Sequence, residues 1–188
     1  MTEAEKRIAI LNATLELIAE HGFHGAPIAK IAKKSGVSAG IIYHYFADKD
    51  DLIYGLYIHI KKEHARALLS QNLVGLPFPQ NLKQMWLNAY AYYVTHPKET
   101  LFLEQYENSP YPQSLSEEVI DKYFSGLMQM IKAACSQGRM VDLPLDVIYE
   151  LTFRVAAGIA KKQISGILAL SDEQLDEVAE ACCRAVTH

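Results

Sequence analysis

The segment from Ile28 to Leu52, IAKIAKKSGVSAGIIYHYFADKDDL, constrains the fold of this chain most. Ile28, Ile31 and Ala32 carry helical spacing, Ser35-Gly36 breaks it, a second short helix follows, and Asp48 stands where a cap begins another. Two short helices joined by a three- or four-residue turn containing glycine are the outline of a helix-turn-helix DNA reader. The charge agrees. From His21 to Ala47 there is no Asp or Glu, while Lys30, Lys33, Lys34, His21, His24 and His44 are present. A surface that lies along phosphates excludes acids in this way.

The whole chain carries a net charge of −4, which by itself does not point to nucleic acid. The charge is uneven. Residues 1–70 hold nine Lys/Arg and eight Asp/Glu, whereas residues 71–188 hold nine and fourteen, so the first third is the DNA side. Half of the residues are apolar, enough for a packed core. No apolar run approaches the roughly 18 residues of a membrane span. The start, MTEAEKRIAIL, lacks the continuous apolar core of a signal peptide, so the expected location is the cytoplasm, with no membrane partner. Cys135, Cys182 and Cys183 form no CxxC spacing. They read as reduced, partly buried thiols, with a redox pair at Cys182–Cys183 as the alternative.

Helical periodicity runs nearly throughout. Ile8, Leu11, Leu15 and Ile18 predict a first helix over about 3–20, ended by Gly22 and Gly25, with Phe23 packing back over its last turn. Pro27 suits the first turn of the next helix. A helix from Asp48 to about Ser70 is capped by Asp48, with Asp50 and Asp51 at its positive end. The stretch QNLVGLPFPQN is the strongest punctuation. Beyond it, Leu82, Trp86, Ala89 and Tyr93 form a stripe that His96-Pro97 interrupts, and a short helix covers 98–106. NSPYPQS is excluded from a helix interior by Pro110 and Pro112. Further helices are expected over about 116–137, 144–170 and 173–186, the last capped by Ser171 or Asp172. The chain is therefore all-α, with about nine helices and no credible strand pair.

Gly22-Phe23, Ile31-Ala32, Gly36-Val37-Ser38, Gly40, Ile42-Tyr43, Tyr45-Phe46, Lys49 and Leu52 together resemble the N-terminal signature of TetR/AcrR transcriptional regulators. The resemblance covers roughly residues 7–53. Beyond that it extends only to length and helical layout. It implies an N-terminal three-helix helix-turn-helix head over 1–47 and a C-terminal helical ligand-binding and dimerisation domain over 48–188. The helix at 48–70 connects the two. It also implies a homodimer and repression relieved by a small molecule. Three positions depart from the pattern. Ala26 stands where Thr often caps the second helix, losing about 1 kcal/mol that Pro27 partly offsets. Ala39 stands where Lys or Arg often follows the Val-Ser pair, and Tyr45 stands where His is common. Without a basic residue at Ala39, operator affinity leans on Lys33, Lys34 and Lys49.

Within this motif Ser38 is placed to cap the recognition helix. Ile42 and Phe46 point inward with Val37, leaving Ala39, Gly40, Ile41, Tyr43 and His44 toward solvent or the major groove. Gly40 allows close approach to the groove floor. Ile41 either meets a thymine methyl or belongs to the core beside Ile42. Tyr43 and His44 can donate to phosphates. Lys49 sits at the first turn of the fourth helix, where free N–H groups already favour an anion. Lys33 and Lys34 contribute general attraction. So few polar side chains on the reading helix leave specificity to DNA shape.

In the remaining two-thirds, Trp86, Tyr90, Tyr93, Phe102, Tyr106, Tyr123, Met128 and Phe153 either line a cavity for a small hydrophobic or aromatic effector or are simply core. Glu104 and Glu107 beside them either select a cation or are solvated carboxylates. Ile148, Leu151, Val155, Ile159 and Ile167 recur along one stretch, with Ala156, Ala157, Gly158 and Ala160 for close helix approach. Leu175, Val178, Ala179, Cys182 and Val186 give the last helix a matching stripe. Gly158 and Gly166 each cost about 1 kcal/mol in a helix interior, which calls for a packing reason. Together they suggest a four-helix dimer interface, with a tight core within one chain as the alternative. No cofactor or metal site is expected, and no catalytic residues. No His has a Glu three residues before it, as di-iron bundles require, and no P-loop, GxSxG or HExxH pattern occurs. The expected partners are a double-stranded DNA operator, a small-molecule effector and a second copy of the chain. A ligand-independent DNA-binding or protein-interaction module is the rival, separated by whether operator binding responds to a ligand.

Overall fold

A computed structural model describes residues 1–112 and 117–188 of the chain. Its regular elements are α-helices: α1 (Glu3–His21), α2 (Ile28–Ser35), α3 (Ala39–Tyr45), α4 (Lys49–Leu68), α5 (Gln80–Thr95), α6 (Pro97–Glu107), α7 (Glu117–Ser136), α8 (Leu145–Leu151), α9 (Phe153–Ile164) and α10 (Asp172–Arg184). A single 3₁₀ turn covers Gln71–Leu73. Among the described residues the only β pairing is an isolated bridge between Met140 and Thr187. The all-α class and the helix order agree with the sequence. Ser116, the expected start of α7, and Gln113 and Ser114 of the expected break lie outside the described residues.

The chain forms two compact units. One comprises Met1–Lys61 with Lys98–Leu115, the other Lys62–Pro97 with Ser116–His188. In the first, Thr2 begins α1 with a reciprocal capping box to Glu5. The face of α1 that turns inward carries Ile10, Leu11, Leu15 and Ile18, all buried. Ile8, expected in that stripe, is 39% exposed, because the buried face starts at Ile10. Gly22 ends α1 with a positive φ of 68°. Phe23 follows in the turn after α1. Its ring lies against Phe102 at 6.1 Å and Tyr111 at 5.2 Å.

α2 starts at Ile28, so Pro27 stands at the cap position and not in the first turn where the sequence put it, and there is no side-chain cap. It closes on Gly36 at φ 71°, the left-handed conformation that the tight turn into α3 requires. Ser38 caps α3, its Oγ accepting from Ile41 N at 3.3 Å. Ile42 and Phe46 are buried as expected. Asp48 Oδ1 accepts from Asp51 N at 2.8 Å and Asp51 Oδ2 accepts from Ala47 N at 2.9 Å, so the α4 start is capped in both directions. Gly55 lies inside α4, where glycine is costly. A Cβ there would fall 2.8 Å from Phe46 Cε1, so the residue makes room for that ring.

In the second unit, Leu82, Met85, Trp86, Ala89, Tyr90 and Tyr93 form the buried face of α5. Trp86 donates its indole N–H to Thr152 O at 3.0 Å. That carbonyl sits at a break. The single helix expected over 144–170 is two, α8 and α9, parted at Thr152, whose backbone (φ −122°, ψ −86°) is not helical. Helical periodicity continues across the break, so the pattern alone does not reveal it. Gly166 has φ 71°, so it ends α9 and is not the helix-interior packing glycine expected. Ser171 caps α10 in a capping box with Gln174. Lys83 ties α5 to α10 through Asp176 at 2.8 Å and Glu180 at 3.3 Å.

The contact at Gly55 yields a stability test. Gly55→Ala gains helix propensity but forces the buried Phe46 ring aside, and overpacking of this kind costs about 1–3 kcal/mol. The expected result is a lower denaturant midpoint with an unchanged slope. An unchanged or higher midpoint would show that Phe46 does not depend on this space.

Candidate nucleic-acid interface

The candidate surface is built around a seven-residue helix, α3. The packing of Ile42 and Phe46 fixes which side it presents. Ala39, Gly40 and His44 are exposed, Tyr43 is 55% exposed and Ile41 is half-buried. The space over Gly40 is open, since a Cβ built there would meet only Ser38 Oγ, at 3.8 Å. Tyr45, in contrast, is a tether. Its hydroxyl donates to Glu3 O at 3.1 Å, joining the end of α3 to the start of α1.

The lysines of this surface are not equivalent. Lys33 is exposed. Lys34 pairs with Glu16 at 2.8 Å, and Lys98 reaches the same carboxylate at 3.7 Å. The hydrogen bond from Lys34, with the charges of both lysines, lowers the Glu16 carboxyl from its ordinary value, and the same bond raises Lys34. Lys34 therefore adds less free positive charge than its position in sequence suggests. Lys49 is half-buried, and its ammonium donates to Phe23 O at 2.6 Å. That bond uses one of its three hydrogens and fixes the ammonium beside the first turn of α4. Sequence reasoning could not foresee the bond, because Phe23 is 26 residues away.

The eight aromatic and apolar candidates for effector binding divide between the units. Phe102 and Tyr106 belong to the first, Trp86, Tyr90, Tyr93, Tyr123, Met128 and Phe153 to the second. Within the second unit, Trp86 stacks on Tyr90 at 5.9 Å, and the Tyr90 hydroxyl bonds Gln163 of α9. Tyr93 stacks on His64 at 4.8 Å, and Phe153 lies 6.4 Å from Tyr149. Tyr123 and Met128 are half-buried on α7. Glu104 and Glu107 are half-buried on α6.

The six candidates for the dimer surface also divide. Ile148 and Cys182 are buried within the chain, at 2% and 7% exposure. Val155, Ile159, Leu175 and Val178 are half-buried. A hollow of about 460 Å³ lies on α10 beside Val178 and Ala181. All three cysteines are free thiols. Burial pushes the Cys183 thiol up to about 12, which makes it a poor nucleophile at neutral pH.

Comparison with known proteins is consistent along the whole chain. Residues 10–54 match the family described as bacterial regulatory proteins, tetR family. Residues 77–187 match the domain described as tetracyclin repressor-like, C-terminal. An HTH-type transcriptional regulator of Haemophilus influenzae, itself called uncharacterized, is 26% identical over 99% of both chains. The HTH-type transcriptional regulator BetI of Escherichia coli is 44% identical over 72 residues, which are 38% of this chain and 36% of BetI. In fold, the chain matches a TetR family transcription regulator of Marinobacter aquaeolei with a TM-score of 0.84 at 22% identity, covering 98% of this chain and 96% of that one.

The Glu16 pair can be tested directly. Glu16→Gln removes one negative charge beside α2 and releases Lys34. Binding to any duplex should tighten by about two- to fivefold at low salt, with a steeper salt dependence. Equal or weaker binding by fluorescence anisotropy would show that Lys34 faces no phosphate.

Proposed function

The chain belongs to the TetR family of bacterial transcriptional regulators, and on that premise we propose that it is a homodimeric repressor released from a palindromic operator by a small hydrophobic or aromatic effector. The observation that carries the DNA-reading half is the face of α3. Ala39, Gly40, Tyr43 and His44 are open to solvent on a stretch without acids, and the α4 start with Lys49 stands next to it. In this reading Ala39, Gly40 and Ile41 meet base edges. Tyr43, His44 and Lys49 hold phosphates, Ser38 fixes the helix, and Lys33 and Lys34 add attraction.

The dimer is supported by the half-buried apolar residues of α9 and α10. Gly158 adds to this, since among the described residues a Cβ there would meet nothing within 4 Å outside its own helix. A second helix packed close to this point would account for a glycine in the middle of α9. The effector site is supported by the aromatic residues of α5, α7 and α9. Release follows as a population shift. An effector that binds more tightly to the arrangement in which the recognition helices no longer match successive major grooves draws the protein off DNA. The protein acts by binding alone, in the cytoplasm, with no catalytic step.

The test uses the full chain and a duplex carrying its operator. Lys49→Ala should weaken all sequences about equally and flatten the salt slope by about one. Tyr43→Phe should weaken binding by about two- to tenfold through one lost hydrogen bond, with unfolding unchanged. If both variants bind like the parent, α3 and the α4 start are not the DNA surface.

A further inference from the structure

Tyr111 is remote in sequence from the DNA-reading helices but belongs to the same compact unit. The turn after α6 is built to present it. Ser109 Oγ donates to Tyr106 O at 2.6 Å and accepts from Tyr111 N at 3.2 Å. Tyr106, fully buried, donates its hydroxyl to Pro112 O at 2.7 Å. Pro110 and Pro112 restrict the backbone on either side. The Tyr111 ring stacks on Tyr106 at 5.6 Å and 16°. Tyr106 in turn stacks on Tyr57 of α4 at 4.2 Å and 6°. The ring is thereby fixed from behind.

Two further contacts bracket Lys49. The ring meets Phe23 at 5.2 Å, and the hydroxyl donates to Asp50 Oδ1 at 3.1 Å. Phe23 O is the atom that accepts the Lys49 ammonium at 2.6 Å. Asp50 is the residue after Lys49 in the first turn of α4. Tyr111 therefore holds both the acceptor of the lysine and the helical turn from which the lysine projects. Burial, followed by the bond to Asp50, raises the Tyr111 hydroxyl above its ordinary value, so it remains a donor at neutral pH.

We propose that Tyr111 is a positioning residue for DNA binding, acting through Phe23 and Asp50 to fix the Lys49 ammonium for a backbone phosphate. The inference rests on the reading of Lys49 as a phosphate contact. A lysine already held in place loses less side-chain freedom when it binds. Without Tyr111 the turn at Phe23 and the α4 start lose the support they share, and the Lys49 bond alone does not fix where the ammonium stands.

The test compares the parent with Tyr111→Ala, Tyr111→Phe, Lys49→Ala and the Tyr111→Ala/Lys49→Ala pair, on one operator duplex over a range of salt. Tyr111→Ala should weaken binding about tenfold and flatten the salt slope by about 0.9, one phosphate's worth. Tyr111→Phe keeps the ring and should cost only about threefold. It carries the test if Tyr111→Ala does not fold. On the Lys49→Ala background, loss of Tyr111 should cost less than about twofold, because contacts acting through one group are not additive. A residue that only stabilises the fold would leave the salt slope unchanged and would add its full cost to Lys49→Ala. Either that additivity or parent-like binding by both Tyr111 variants overturns the proposal. Parent-like binding by Lys49→Ala alone would overturn the phosphate reading of Lys49, and this proposal with it.

Discussion

A helix of seven residues cannot hold its shape alone in water, where even good sequences need about 12–15 residues to be marginally helical. α3 is such a helix, so the rest of the first unit has to hold it. Ser38 satisfies a free donor at its start, and Tyr45 ties its end to Glu3. Ile42 and Phe46 anchor its inner side, and Gly55 leaves the space that Phe46 fills. The outer side, with Ala39, Gly40, Tyr43 and His44, stays exposed. That division leaves these positions available for the contacts proposed above.

The same logic extends to the neighbouring α4 start. Asp48 and Asp51 cap it, and Lys49 reaches back to the turn after α1. α6 and its following turn, almost fifty residues later, supply the aromatic wall against which Phe23 and Tyr57 pack. Fully buried Phe102 and Tyr106 make that wall part of the core of the unit. The N-terminal helices are thus not complete without a segment from the middle of the chain. α6 and Tyr111 belong to the same compact unit as α1, α2 and α3.

The legible parts of the sequence were those governed by local rules. The turn at Gly36, the caps at Ser38, Asp48 and Ser171, and the buried stripe of α5 follow from residue type and spacing within a few positions. What escaped was set by contacts distant in sequence. The Lys49–Phe23 bond, the Lys34–Glu16 pair and the docking of α6 leave no periodic trace. The break at Thr152 is hidden because apolar spacing runs on through it, and the bond that Trp86 donates to the carbonyl there comes from another helix. Spacing alone leaves Ile148 and Cys182 open to either reading, dimer surface or core within one chain, and both are buried. Their burial depends on neighbours from other helices, which a one-helix pattern does not contain.

In the proposed mode of action two copies of α3 read successive major grooves of a symmetric DNA site. The most direct measurement is selection of genomic fragments bound by the full-length protein, followed by sequencing. The expected result is an enriched inverted repeat whose half-site centres lie about one helical turn, roughly 34–36 Å, apart or slightly more. Recovery of fragments with no shared inverted repeat would contradict it.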